Sequence, residues 1–248
     1  MRLFVDTFNP RVLEQAAQTG ILGGVTHNPA GMSKEGPIDF VENLKALCAV
    51  LDHHDISGPI NTEIVTQVPG SEDVGRMVDD GLALASIDER IHVKVAVNGP
   101  AGVATIKKLC HEGVKTNATI VYNVVQALVA AEAGATVVSL FGGPLIDATA
   151  NPTGRASVRP DLVGPVREIY DRYGYRTKIL NVARHPIDVT ESALRGADFV
   201  TMPFDLFITL ASDPWTDMRL TGFMAQWASV HGTSTWVAGV RRSGAAVG

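Results

Sequence analysis

The chain has 248 residues, a formal net charge of −5 and 46% hydrophobic residues. That length and apolar content suit one α/β barrel or two small domains, and the acidic balance argues against nucleic acid or an anionic membrane surface as a main partner. Two cysteines, Cys48 and Cys110, stand in no metal or redox motif, the seven histidines show no H-x-x-x-H or H-E-x-x-H spacing, and no apolar run has transmembrane length, so a cytoplasmic protein with no metal, no cofactor and no membrane is expected.

Leu3 to Asp6 (L-F-V-D) reads as a short strand ending in an acid, with no signal peptide before it. Pro10 to Gln18 follows as a helix, with Asn9 as its N-cap and Pro10 at its first position. Gly23 to Thr26 is a second strand, and H-N-P-A-G a loop. Ile38 to Leu51 is amphipathic, with Phe40, Val41, Leu44, Leu47 and Leu51 on one stripe. Ile60 to Val65 is a third strand and Glu72 to Ile87 the next helix. In Ile91 to Val97 the β-branched Val93, Val95 and Val97 alternate with His92, Lys94 and Ala96, so Lys94 lies on the face opposite the valines. Ala101 to Cys110 is helical, Val114 to Ile120 a strand, Val121 to Ala133 a helix and Thr136 to Leu140 a sixth strand. A loop rich in Asn, Pro, Thr and Gly runs to Ser157. The helices Asp161 to Tyr173 and Pro186 to Arg195 alternate with the strands Lys178 to Val182 and Phe199 to Met202, and Phe204 to Leu210 and Trp215 to Val230 close the chain. Eight strands alternating with helices predict a single-domain (β/α)8 TIM barrel over 1–232 with a C-terminal closing helix, and a flexible tail over 233–248. A doubly wound open sheet is the alternative; no Gly-rich phosphate fingerprint follows the first strand to support it.

In such a barrel the C-terminal strand ends face the active site. Asp6, Thr26, Asn28, Glu63, Lys94, Asn117, Thr119, Ser139, Phe141, Asn181 and Thr201 all fall there. Each has an ordinary explanation: Asp6 as a cap, Thr26 and Asn28 as turn formers, Glu63 as a structural partner of Lys94. Their gathering around one lysine points further. Burial favours the neutral amine over the ammonium, and a neutral amine attacks a ketone to give an iminium, the electron sink for making or breaking the adjacent C–C bond. A carboxylate must move a proton at the reacting hydroxyl, which suits Asp6. A second group must help expel the carbinolamine hydroxyl, which suits Glu63 with Thr119. Thr26, Asn28, Asn117 and Ser139 suit the hydroxyls of a sugar substrate.

F-V-D-T at Phe4 to Thr7, G-V-T-H-N-P at Gly24 to Pro29, H-V-K-V-A-V at His92 to Val97 and T-N-A-T at Thr116 to Thr119, in that order, resemble the motifs of the transaldolase and fructose-6-phosphate aldolase family. The resemblance implies a class I barrel with Lys94 as Schiff-base residue, Asp6 as proton shuttle, Glu63 and Thr119 placing the catalytic water, a dihydroxyacetone unit as donor fragment and a homo-oligomeric assembly. Glu63 with Phe141 resembles the pair that goes with transferases rather than simple aldolases, so transfer is expected over net cleavage. Three places depart from the family's pattern: Pro144 replaces an arginine, A-R-H-P at Ala183 to Pro186 replaces S-F-R or S-F-K, and Ala96 replaces a proline. An anion on the substrate is then left to Arg184, with Arg155 or His185, and the anion's identity (phosphate, sulfonate or none) stays open. An iminium lyase or simple aldolase, and a non-catalytic barrel with a binding role, are the alternatives.

Overall fold

The computed structural model describes residues 1–70, 72–144 and 161–235. Eight parallel strands close into a barrel in sequence order: β1 (Arg2–Asp6), β2 (Leu22–Thr26), β3 (Ile60–Glu63), β4 (Ile91–Ala96), β5 (Thr116–Val121), β6 (Val137–Leu140), β7 (Lys178–Val182) and β8 (Phe199–Pro203). β1 pairs with both β2 and β8, so no edge is left open. The helices of this unit are α1 (Pro10–Ala17), α2 (Pro29–Ser33), α3 (Phe40–His53), α4 (Val74–Ala85), α5 (Gly99–His111), α6 (Val124–Glu132), α7 (Val163–Tyr173) and α8 (Pro186–Leu194), followed by α9 (Phe204–Thr209).

Alternation along the strands builds the interior. Phe4 stacks on Phe199 with ring centroids 4.9 Å apart, and Val137 and Leu180 pack with Phe4 to fill the barrel below the lysine level. Gly24 answers that packing, since a Cβ there would come within 3.0 Å of the Phe4 ring and 2.8 Å of Pro59 O. Asparagine and aspartate side chains start the helices: Asn9, Asn28, Asp39, Asp73 and Asn123 each accept a first-turn N–H.

Boundaries differ from the sequence reading where a cap decides them. H-N-P-A-G is not a loop: Asn28 caps and Pro29 opens α2. α6 begins at Val124 because Asn123 is its cap, and β5 extends through Val121. β3 ends at Glu63, and α5 starts at Gly99.

The chain forms two compact units, Met1–Phe207 and a second one from Ile208 onward. The second contains α10 (Pro214–His231), capped by Asp213 and carrying exposed Trp215, Met218, Leu220, Phe223, Met224 and Val230. Trp227 stacks on His231 at 4.2 Å. Of the tail expected over 233–248, residues 236–248 lie outside the described residues, as does Arg155. Among the described residues no helix is long and apolar enough to cross a membrane.

Candidate active site

Lys94 sits near the C-terminal end of β4 with its side chain only 5% exposed. The parallel register places Glu63 of β3 directly beside it, and both side chains point to the barrel interior. Lys94 Nζ lies 3.0 Å from Glu63 Oε2 and donates to the backbone carbonyl of His27 at 2.8 Å. A buried ammonium needs such partners, because desolvation of an unpaired one is prohibitive. On the other side Lys94 is in register with Asn117 of β5, and Ala96 with Thr119.

Two hydrogen-bonded chains are built into the same interior. In the first, Thr26 Oγ1 donates to Asp6 Oδ1 at 3.0 Å and meets Thr201 Oγ1 at 2.7 Å. A hydroxyl has one proton, so Thr201 donates and Thr26 relays. The second runs Ser139 Oγ to Asn117 Oδ1 (2.7 Å), Asn117 Nδ2 to Asn61 Oδ1 (2.8 Å) and Asn61 Nδ2 to Val25 O (3.1 Å). Val25 O can only accept, which fixes the direction of every bond in the chain. Ser139 therefore spends its proton on Asn117 and presents lone pairs, so it is set to accept from a substrate hydroxyl. Thr119 Oγ1 is buried with no partner among the described residues.

The other expected residues divide. Asn28 spends its side-chain oxygen on Gly31 N at 2.9 Å, an α2 cap. Phe141 is half-buried, its ring 5.5 Å from that of Tyr122. Arg184 is exposed, its stem beside Gly143; a Cβ on Gly143 would meet Val182 O at 2.6 Å and Arg184 Cγ at 3.1 Å, so glycine makes room for the β7 turn. The buried Asp188 carboxylate accepts from Arg184 N and His185 N, both at 2.8 Å, and so fixes that turn. Asn181 points away from the interior, donating to Ser192 Oγ of α8 at 2.9 Å.

Two residues near the lysine escaped the sequence reading. Asn61 lies two positions before Glu63, and the same alternation that turned Glu63 inward would have found it. His27 is buried, its ring 4.5 Å from Phe8 and its Nε2 3.0 Å from Thr62 Oγ1. Burial first, and the charge of Lys94 second, push its pKa down to about 3, so the ring is neutral.

One group among the described residues offers three possible metal ligands: Glu14, His53 and His54, with ligand atoms within 4.8 Å of one another. It lies on α1 and at the end of α3, at the opposite end of the barrel from Lys94, and Glu14 Oε1 is already bonded to His54 and Gln18.

Residues 3–236 match the family model described as Transaldolase/Fructose-6-phosphate aldolase. Among curated proteins, the chain is 39% identical to a probable transaldolase of Petrotoga mobilis over 92% of this chain and 95% of that one. It is 38% identical to a probable transaldolase of an Exiguobacterium species, over 92% and 97% of the two chains, and 38% identical to probable transaldolase 1 of Listeria monocytogenes, over 92% and 98%. The chain belongs to the transaldolase/fructose-6-phosphate aldolase family, as a transaldolase-like enzyme on a (β/α)8 barrel.

Proposed function

We propose that the enzyme moves a dihydroxyacetone unit from a ketose to an aldehyde acceptor through a Schiff base on Lys94. The observation that carries this reading is the buried Lys94–Glu63 pair, 3.0 Å apart, set among hydroxyl and amide side chains at one end of the barrel. Glu63 takes a proton from the Lys94 ammonium, and the free amine adds to the ketone carbonyl, one of its N–H protons passing to the carbonyl oxygen to give the carbinolamine hydroxyl. Glu63 returns that proton to the carbinolamine hydroxyl, which leaves as water held by Thr119, and the C=N+ bond of the iminium forms. Asp6 takes the proton of the substrate hydroxyl beyond the scissile bond. That oxygen becomes the aldehyde carbonyl as the C–C bond breaks, and its electron pair passes into the iminium to give an enamine. The enamine carbon then attacks the acceptor aldehyde, Asp6 protonates the new alkoxide, and water hydrolyses the iminium to free the product ketose and Lys94.

Asn117, Ser139, Thr26 and Asn28 line the polyol in this reading, Phe141 walls it, and Arg184 meets any anion on the substrate. The exposed apolar side chains of α10 support a homo-oligomer. The free thiols of Cys48 and Cys110 suit a reducing cytoplasm.

Borohydride reduction in the presence of dihydroxyacetone or a ketose tests the reading. A reduced three-carbon adduct on the Lys94 peptide, seen by mass spectrometry, is expected. Absence of any adduct from a panel of ketoses would overturn the enzyme mechanism and favour a binding role. Product analysis with and without an acceptor aldehyde separates transfer from net cleavage.

A further inference from the structure

β5 contains a backbone conformation that its residue type resists. Ile120 has φ 58°, in the left-handed region. A β-branched side chain is strained there, and Asp55, the other non-glycine residue with positive φ among the described residues, belongs to a type that tolerates it. Ile120 is also 39% exposed, so packing of its side chain gives little in return. The kink coincides with a register shift between Ala118 and Val121 in the β5–β6 ladder, and the β4–β5 register ends at Ala96 opposite Thr119. A bulge of this kind re-aims the side chain beside it. Here that neighbour is Thr119, fully buried, with a hydroxyl that has no partner among the described residues.

Something must hold the kink closed. Val97 N donates to Thr119 O at 3.0 Å just before it. Just after it, the side chain of Gln126, in the first turn of α6, closes a strap: its Oε1 accepts from Tyr122 N at 2.9 Å and its Nε2 donates to Val97 O at 3.1 Å. One amide thus ties the end of the lysine strand to the residue two beyond the kink. We propose that Gln126 is a positioning residue: its strap holds Ile120 in the left-handed conformation, and that kink aims the Thr119 hydroxyl at the Lys94 centre.

The inference rests on the roles given above to Lys94 and Thr119, so its test must separate the two. In the wild-type enzyme, borohydride-trapped adduct on Lys94 measures the Schiff-base reading alone. Gln126→Met keeps the length of the side chain and removes both hydrogen bonds. It is expected to lower kcat and the rate of adduct formation about tenfold, with KM within about twofold, because the misplaced group acts on the reacting atoms rather than on binding. Ile120→Asn puts a residue at ease in the left-handed region under the same strap, and is expected to raise Tm by about 2–4 °C. The double variant decides. If the strap works by opposing the strain, Asn at position 120 restores most of the rate lost in Gln126→Met. Adduct formation unaffected by Gln126→Met, or a double variant as slow as the single, overturns the inference while leaving the Schiff base intact. No adduct in the wild-type enzyme overturns the underlying reading instead.

Discussion

The two ends of the barrel each hold a cation with its carboxylates, partly buried at Arg90 and fully buried at Lys94, and they treat it differently. At the N-terminal end Arg90 is saturated. Its Nε and Nη2 grip Asp88 bidentately at 2.9 and 2.7 Å, and Nη1 meets Asp52 at 2.7 Å. The hydrogen bonds from Arg90 hold the Asp88 carboxyl down at about 2. This cluster lines a cavity of about 540 Å³ with Asp55 and Glu89, and within it the three guanidinium nitrogens of Arg90 and both carboxylate oxygens of Asp88 already have partners. At the C-terminal end Lys94 has one carboxylate and one backbone carbonyl, and the Thr119 hydroxyl on the neighbouring strand has no partner among the described residues. A saturated end holds the fold together; an end with spare donors and acceptors has bonds to offer a substrate.

The comparison breaks most sharply on the two cations themselves. Lys94→Met is expected to abolish turnover, by roughly 10³-fold or more, since the proposed iminium forms on the Lys94 amine. The fold should survive, with some loss from leaving Glu63 unpaired. Arg90→Met should do the reverse, keeping the rate within about twofold while losing on the order of 1–2 kcal/mol of stability, as the partly buried Asp88 loses its counter-charge and the exposed Asp52 adds little. Turnover assays with urea unfolding of both variants check this. If Lys94→Met retained its rate, or Arg90→Met lost rate and kept its stability, the division of labour would be wrong.

Most of the architecture was legible because it rests on repeated local rules. The alternation in Ile91–Val97 both identified β4 and turned Lys94 inward, and the eightfold repeat of strand and helix left a closed barrel as the simplest result. The grouping of Glu63 with Lys94 followed from the same alternation once the strands were parallel neighbours. What stayed hidden depends on partners distant in the chain. Asn28 read as a sugar ligand or a turn former, but whether its oxygen serves Gly31 N is decided by whether Pro29–Ser33 closes into a helix. His27 sits beneath Lys94 through its backbone carbonyl, which no side-chain pattern reports. Gln126 bridges to Val97, 29 residues earlier, and nothing in the sequence around either one marks that contact.

Acid separates the buried imidazoles from the Asp88 carboxylate by pH window. The His27 and His92 imidazoles are both pushed down by burial, to about 3 and about 4, the positive charges of Lys94 and Lys115 adding to it. Below their ordinary value near 6.5 the unfolded chain takes up protons that the folded chain refuses. Stability is therefore full above that value and falls as the pH drops below it. Each histidine removes about 1.4 kcal/mol per pH unit, so about 2 kcal/mol each is gone by pH 5. Asp88 behaves oppositely in position: its stabilisation is present above its ordinary value near 3.8 and is lost only as the pH falls from there towards about 2. Urea titrations at pH 7, 6 and 5 should show the histidine slope, and His27→Gln or His92→Gln should each remove about half of it. A wild-type enzyme equally stable at pH 7 and pH 5 would mean that these rings accept protons in the folded state.

The smallest effect concerns direction rather than charge. At the Arg90 end, hydrogen bonds only need to exist; in the chain Ser139–Asn117–Asn61–Val25 their polarity also matters, because it leaves the Ser139 oxygen as an acceptor. Asn61→Ala removes the anchor of that polarity. The Asn117 amide can then turn over, Ser139 can point its proton outward, and a substrate hydroxyl meets a donor where it needs an acceptor. KM for the ketose should rise about fivefold, equivalent to about 1 kcal/mol, with kcat within about twofold. Ser139→Ala should have a similar effect for the same reason. Because both act through one chain, the double variant should be little worse than either single, a coupling close to the whole of one effect. Additive losses would show that Asn61 and Ser139 act separately, and that the chain fixes structure at this end just as Arg90 does at the other.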